Sequence, residues 1–198
     1  MSNNTQSQKN MLNLCIFASG GGGNLQYLIS SQGNSYNISI VVVDRCCGAQ
    51  EVAQSARIPV INLMNYRAKG LFDMISTDKK VMGCDMIVLA GFMPIVPENF
   101  IDLYGKPILN THPSLLPDFG GKGMYGVRVH EAVVKSGRKI TGCSCHLVDG
   151  GIDTGEVICQ TEIEIDSTWD AWTLGGHVFR LEGPNLVKGI ELVGDTLR

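Results

Sequence analysis

Apolar residues arrive along this chain in short, near-continuous runs, separated by glycine-rich or polar breaks. Leu12 to Ala18, Ile38 to Val43 and Met86 to Ala90 are such runs, and Val60-Ile61 is a shorter one. Runs of this length with few polar interruptions predict strands buried on both faces, as in a parallel sheet. Met86 to Ala90 is wholly apolar and is expected at the sheet's centre. Helical spacing follows from Leu25 through Ile29, and again over Gly48 to Ala56, Tyr66 to Met82, Pro97 to Leu103 and Val127 to Ser136. Pro97 falls in the first turn of its helix and Gly105 ends it. Ile108 and Leu109 open a further strand that continues into Asn110-Thr111-His112.

The texture changes beyond Lys139. Ile140 to Val148 alternates, with Ser144, His146 and Val148 on one face and Cys143, Cys145 and Leu147 on the other. Glu156 to Ile165 is another strand, and the short loop between predicts an antiparallel pair. Trp169 to Leu192 is a closing helical region, expected to be kinked or broken at Gly183-Pro184. Strands alternating with helices set the fold class as α/β. The expected architecture is a Rossmann-like, mostly parallel twisted sheet flanked by helices, with an antiparallel strand pair in the C-terminal part.

With 198 residues, 44% hydrophobic and 18% charged, the chain suits one globular domain. That domain is expected over residues 11–198, with Met1 to Asn10 a disordered polar lead-in. A net charge of −3 gives no electrostatic case for nucleic acid, which calls for a basic patch. No apolar run approaches the ~18 residues of a membrane span, and the lead-in has no hydrophobic signal core. A cytoplasmic protein is expected. The seven cysteines read as reduced, buried thiols, with metal ligation the weaker alternative because no structural spacing is present.

Candidate chemistry collects at Asn110 and His112. Two residues apart on a strand, they project from one face, and Pro113 holds His112 extended. An amide beside an imidazole at the carboxyl end of a strand suggests a site, as open α/β sheets bind ligands there. Either residue alone would read as a satisfied corner group. The imidazole suits proton transfer near neutrality, and the amide suits a developing oxyanion. A carboxylate from the loop Asp149 to Gly155 would complete the set. Nucleophilic catalysis by Ser114 is disfavoured, because no Gly-x-Ser-x-Gly elbow surrounds it.

A second candidate is Ser19-Gly20-Gly21-Gly22-Gly23-Asn24, between the first strand and its helix. Strand, glycine turn and helix together make an anion cradle; four glycines in a row also fit a merely flexible turn. No Lys-Ser/Thr follows, which excludes a nucleoside-triphosphate loop. Asp44, at the end of the second strand, fits either a ribose-binding acid of a dinucleotide enzyme or a loop residue paired with Arg45. The apolar loop Gly91 to Val96 fits either a flat ring pocket or ordinary core. Asp118 to Gly126 is a glycine-rich loop long enough to fold over a substrate, and His130 on the next helix reads as packing or solvated.

Asn110-Thr111-His112-Pro113-Ser114-Leu115-Leu116-Pro117, followed by His146-Leu147-Val148-Asp149 and Asp153, resembles the folate-dependent formyltransferases. The likeness runs from about Leu12 to about Ile165, with Ser19 to Leu25 and Leu89 to Met93 as further islands. The Gly-Gly-Asn-Leu run selects the branch serving purine synthesis. The resemblance implies 10-formyltetrahydrofolate as formyl donor and the amine of 5′-phosphoribosylglycinamide as acceptor, with no metal. It implies Asn110, His112 and Asp153 as catalytic residues: the amide for the oxyanion, and the imidazole, paired with the acid, for protons. Gly22, Gly23, Asn24, Gly121 and Glu182 match the phosphate and ribose contacts. Met93, Pro94, Ile95 and Val96, with Asp149, Gly150, Gly151 and Ile152, match the segments around the pterin. Ser144 matches a supporting strand residue.

The chain departs from the family at several points. Gly23 stands where a serine is usual, and Pro94 where an arginine is common. The loop Gly120 to Gly126 is longer than in many relatives, and Gly183-Pro184 interrupts the usual helix after Glu182. On this reading residues 11–106 form a phosphate-binding half, and 107–198 a catalytic and folate-binding half. The partners are small molecules, with a monomer or homodimer both open. Rivals are a formyltetrahydrofolate deformylase, which would carry an N-terminal regulatory domain, and a methionyl-tRNA formyltransferase-like enzyme, which would carry a further tRNA-gripping domain. A non-catalytic nucleotide-binding module is the reading from another class.

Overall fold

The computed structural model describes residues 11–66 and 68–197; the expected lead-in, Met1 to Asn10, lies outside them. One seven-stranded sheet organises the chain, in the order β3-β2-β1-β4-β5-β6-β7. Its strands are β1 Leu12–Ala18, β2 Tyr36–Val43, β3 Val60–Asn62, β4 Met86–Leu89, β5 Ile108–His112, β6 Ile140–Leu147 and β7 Val157–Glu164. The apolar run at β4 does fall in the middle. β1 to β5 are mutually parallel. β6 runs antiparallel to β7, as expected, and also to β5.

The helices are α1 Gly23–Ser31, α2 Gly48–Ser55, α3 Ala68–Thr77, α4 Lys79–Gly83, α5 Glu98–Tyr104, α6 Val127–Ser136 and α7 Ala171–Thr196. Alternating strand residues feed opposite layers, because side chains on a strand point to opposite faces in turn. Leu14, Ile16, Val41 and Val88 pack with Leu25 and Leu28 of α1, Ala49 and Ala53 of α2, and Leu186 and Ile190 of α7. Cys15, Phe17, Val42 and Ile87 pack on the other side with Leu71 and Phe72 of α3, Val81 of α4, and Phe100 and Tyr104 of α5.

Two helical expectations change. The stretch Tyr66 to Met82 divides into α3 and α4 at Asp78, whose carboxylate accepts from the Lys80 and Val81 N–H groups. A capping acid satisfies amides that a continuous helix would spend internally, so it starts a new helix. In the other direction, α7 runs through Gly183-Pro184 without a break. Glu182, Gly183, Asn185 and Leu186 are buried around the exposed Pro184. Packing of these residues outweighs the hydrogen bond that proline removes. A pattern of residue types signals the local cost but not the tertiary contacts that offset it.

Among the described residues, no helix is long and apolar enough to cross a membrane.

Candidate active site

β1, β4 and β5 end together on one edge of the sheet, where the strand order reverses between β1 and β4. Ligands gather at such edges in α/β sheets. A cleft of about 1100 Å³ opens there. Asn110, His112, His146 and Asp153 line it, with Met93 to Val96 on one wall and Trp172, Phe179 and Glu182 of α7 on another.

Asn110 and His112 leave β5 on one face, as the strand period requires. Across the antiparallel ladder they stand opposite His146 and Ser144 of β6. The His146 Nδ1 lies 2.8 Å from the Leu147 carbonyl. A carbonyl only accepts, so Nδ1 carries the proton and Nε2 is left as an acceptor. The Asn110 Nδ2 lies 3.0 Å from that Nε2 and donates to it. The orientation of the Asn110 amide is thereby fixed, with its second N–H free of this bond. Burial holds the His146 imidazole below its ordinary range, against the opposing pull of the Leu147 carbonyl and Asp153.

His112 is buried and meets acceptors at both nitrogens. Its Nε2 donates to the Phe119 carbonyl at 2.9 Å, and its Nδ1 lies 3.3 Å from Asp153 Oδ2. Asp153 comes from the loop after β6, which folds back over the sheet to reach the carboxyl end of β5. Its φ of 57° is left-handed, a region sparsely used by residues other than glycine, although aspartate tolerates it better than most. The Gly121 N–H donates to its Oδ2 at 3.0 Å. The Gly121 carbonyl accepts from Met124 N–H, so both polar backbone groups of this glycine are already engaged. Gly121 lines the cleft, but its visible work is to hold the acid.

Ser144 is fully buried and ties the turn after β5 to β6. Its hydroxyl donates to the Ser114 carbonyl at 2.6 Å and accepts from Leu116 N–H and Gln160 Nε2, each at 2.9 Å. The wall from Met93 to Val96 is tied in turn to the residue that follows β1, since Met93 N–H donates to Ser19 Oγ at 2.9 Å. In the later loop, Asp149 Oδ1 accepts from Thr154 Oγ1 and Gly151 N–H. These bonds, the threonine's first, hold the Asp149 carboxyl below its usual range. Asp149, Gly151 and Ile152 line the cleft, whereas Gly150 packs toward Glu98.

Gly22, Gly23 and Asn24 sit behind Phe179 and Glu182 rather than on the cleft wall. Gly22 has φ 86° and a β-carbon there would stand 2.8 Å from Ala49 Cα, so only glycine fits. The Asn24 Nδ2 donates to Glu182 Oε2 at 2.5 Å. Burial pushes the Glu182 carboxyl up to about 7, with Asn24 pulling the other way. Asp44 takes the paired alternative: its Oδ2 accepts from Arg45 Nε and Nη2.

His146 is the residue that sequence reasoning left unassigned. Its signal was present, since it shares a strand face with Ser144. The missing fact was the β5–β6 register, which sets it opposite Asn110. His130 is buried on α6 and lines the cleft, with its Nδ1 lacking a hydrogen-bond partner. Among the described residues, no group of three His, Cys, Asp or Glu stands where it could hold a metal ion.

Known proteins share this frame. A phosphoribosylglycinamide formyltransferase of Mycobacterium tuberculosis is 35% identical over 92% of this chain and 89% of its own length. A chloroplastic phosphoribosylglycinamide formyltransferase of Vigna unguiculata is 34% identical over 90% of this chain. The chain spans 59% of that relative's length, and 55% of its Arabidopsis thaliana counterpart's. The crystal structure of phosphoribosylglycinamide formyltransferase from Anaplasma phagocytophilum superposes with a TM-score of 0.84 at 32% identity, covering 94% of this chain and 88% of that one. The formyl transferase family model matches residues 12–190. Since that match runs from β1 into α7 and takes in every element that frames the cleft, the chain belongs to the formyl transferase family.

Proposed function

We propose that this chain transfers the formyl group of 10-formyltetrahydrofolate to the amine of 5′-phosphoribosylglycinamide, a step of purine synthesis. The observation that carries the reading is the meeting of Asp153, from the loop after β6, with His112 beside Asn110 at one end of the cleft. The acceptor amine attacks the formyl carbon, a C–N bond forms, and the carbonyl electron pair moves onto oxygen. The free N–H of the Asn110 amide holds that oxyanion; one such donor is worth roughly 3–4 kcal/mol. When the carbonyl re-forms, the bond to N10 of the folate breaks. The amine gives up a proton and N10 gains one, with His112 as the carrier and Asp153 holding it in place. Both substrates must lie together for direct attack, and this proximity contributes up to ~7–11 kcal/mol in favourable cases.

In this assignment the pterin lies between Met93 to Val96 and Asp149 to Ile152, and the sugar phosphate reaches toward Gly22, Gly23, Asn24 and Glu182. Residues 11–198 act as one domain, with Ser144 and Gly121 as positioning residues. Purified protein is expected to consume 10-formyltetrahydrofolate only when 5′-phosphoribosylglycinamide is present, followed by absorbance of the deformylated folate. Loss of the formyl group without the amine would make the protein a hydrolase. No loss with both substrates present would overturn the transferase reading.

A further inference from the structure

Gly23 opens α1, and its backbone does not lie in the left-handed region. Conformation therefore does not call for glycine at this position. Space does: a β-carbon on Gly23 would stand 2.5 Å from Phe179 Cζ and 2.9 Å from its Cε1. Real β-carbons do not approach so closely, so the phenyl ring occupies the volume that any side chain at position 23 needs. Phe179 lies on α7, three residues before Glu182, and such positions share a helix face. Glu182 reaches Asn24, so this face of α7 spans the first turn of α1. Phe179 is nevertheless 48% exposed and lines the cleft. One part of it therefore packs on the glycine turn while the rest is open to a ligand.

We propose that Phe179 and Gly23 are an interlocked pair that sets specificity at the sugar-phosphate end of the cleft. The inference rests on the acceptor site proposed above and deepens it. A phenyl ring offers no donor and no charge to a phosphate, but its face matches the C–H face of a sugar ring. The glycine turn behind the ring offers a phosphate no side chain at position 23. Phe179 reads the sugar, and Gly23 is the residue that lets it lie there. Neighbouring Gly176, which also lines the cleft, has open space where a β-carbon would stand.

The test is an NMR titration of the full chain with two probes, ribose 5-phosphate and inorganic phosphate. Phe179→Ala is expected to weaken ribose 5-phosphate roughly five- to tenfold, the scale of a single aromatic contact, and phosphate by less than about twofold. An equal loss for both probes, or no loss for either, would overturn the specificity role. Gly23→Ser is expected to displace the ring and reproduce the ribose 5-phosphate loss. The double variant is expected to be no worse than either single one, because the two changes break one contact; additive losses would overturn the interlock. Phe179→Leu keeps apolar volume without the flat ring, so it carries the same probe comparison if the alanine variant fails to fold. A wild-type chain that prefers ribose 5-phosphate yet transfers no formyl group would sink the proposed reaction alone. Formyl transfer with a sugar-blind Phe179→Ala loss would sink this inference alone.

Discussion

The two ends of the cleft are built by different physics. At the β5–β6 end, side chains are held by directional hydrogen bonds: Asn110 donates to His146, His112 to the Phe119 carbonyl, and Ser144 to the Ser114 carbonyl while accepting from Gln160. At the α1 end, the main constraints are steric and conformational: Gly22 against Ala49 and Gly23 against Phe179. The polar side-chain contact there is the bond from Asn24 to the buried Glu182. Directional bonds fix where a donor points, which is what stabilising a developing charge demands. Close packing fixes which residue sizes are admitted, and so governs what fits. Changes at the first end should therefore act on rate, and changes at the second on binding and stability.

Substitutions can break or sharpen that division. Asn110→Ala comes first, lowering kcat by about 10²–10³, the worth of one oxyanion donor, with both KM values within about threefold. Steady-state kinetics would show this, and a change confined to KM would erase the contrast between the two ends. Glu182→Gln should act on stability and with a definite sign. Burial pushes the folded carboxyl up to about 7 from an ordinary 4.5, so the folded state binds more protons than the unfolded state between those values. Wild-type stability is thus favoured below about pH 4.5, falls as pH rises to about 7, and levels off beyond. The shift corresponds to about 3 kcal/mol. Denaturant unfolding should therefore show the glutamine variant gaining on wild type as pH rises from about 5 to about 8, whereas parallel curves would mean that Glu182 is not held protonated.

Ser144→Ala comes next. It leaves Leu116 N–H and a Gln160 amide hydrogen without their acceptor, at a cost of about 1–3 kcal/mol, and it loosens the turn that carries the chain away from His112. Unfolding free energy and kcat should fall together while KM holds; a fall in stability with kcat unchanged would detach the turn from the chemistry. The smallest effect is expected from Arg138→Ala. Arg138 pairs with Asp118 on the surface, both about half exposed, so less than about 1 kcal/mol should be lost. A larger loss would extend the hydrogen-bonded corner out to the protein surface.

Much of this was legible in the residues themselves. Buried apolar runs announced β1, β2 and β4, and Val127 to Ser136 emerged as α6 with the boundaries its pattern gave. The facing of Asn110 and His112 followed from the period of a strand. Other features depended on contacts that no local pattern carries. The Asp78 cap dividing α3 from α4 was hidden because aspartate also suits an exposed helix face. The continuity of α7 through Pro184 depends on burial of Glu182, Asn185 and Leu186. The partnership of His146 with Asn110 depends on strand register, and the reason for glycine at position 23 lies on a helix more than a hundred residues away. Sequence period shows which way a side chain points; what it meets is set by the rest of the fold.

His112 is assigned to moving protons rather than to binding. Kinetics of His112→Ala, with folate donor and amine acceptor varied separately, test it most directly. A kcat lower by about 10²–10⁴ is expected, the range of general acid–base catalysis, with both KM values little changed. Equal losses in kcat and in substrate affinity, or a variant as fast as wild type, would contradict it.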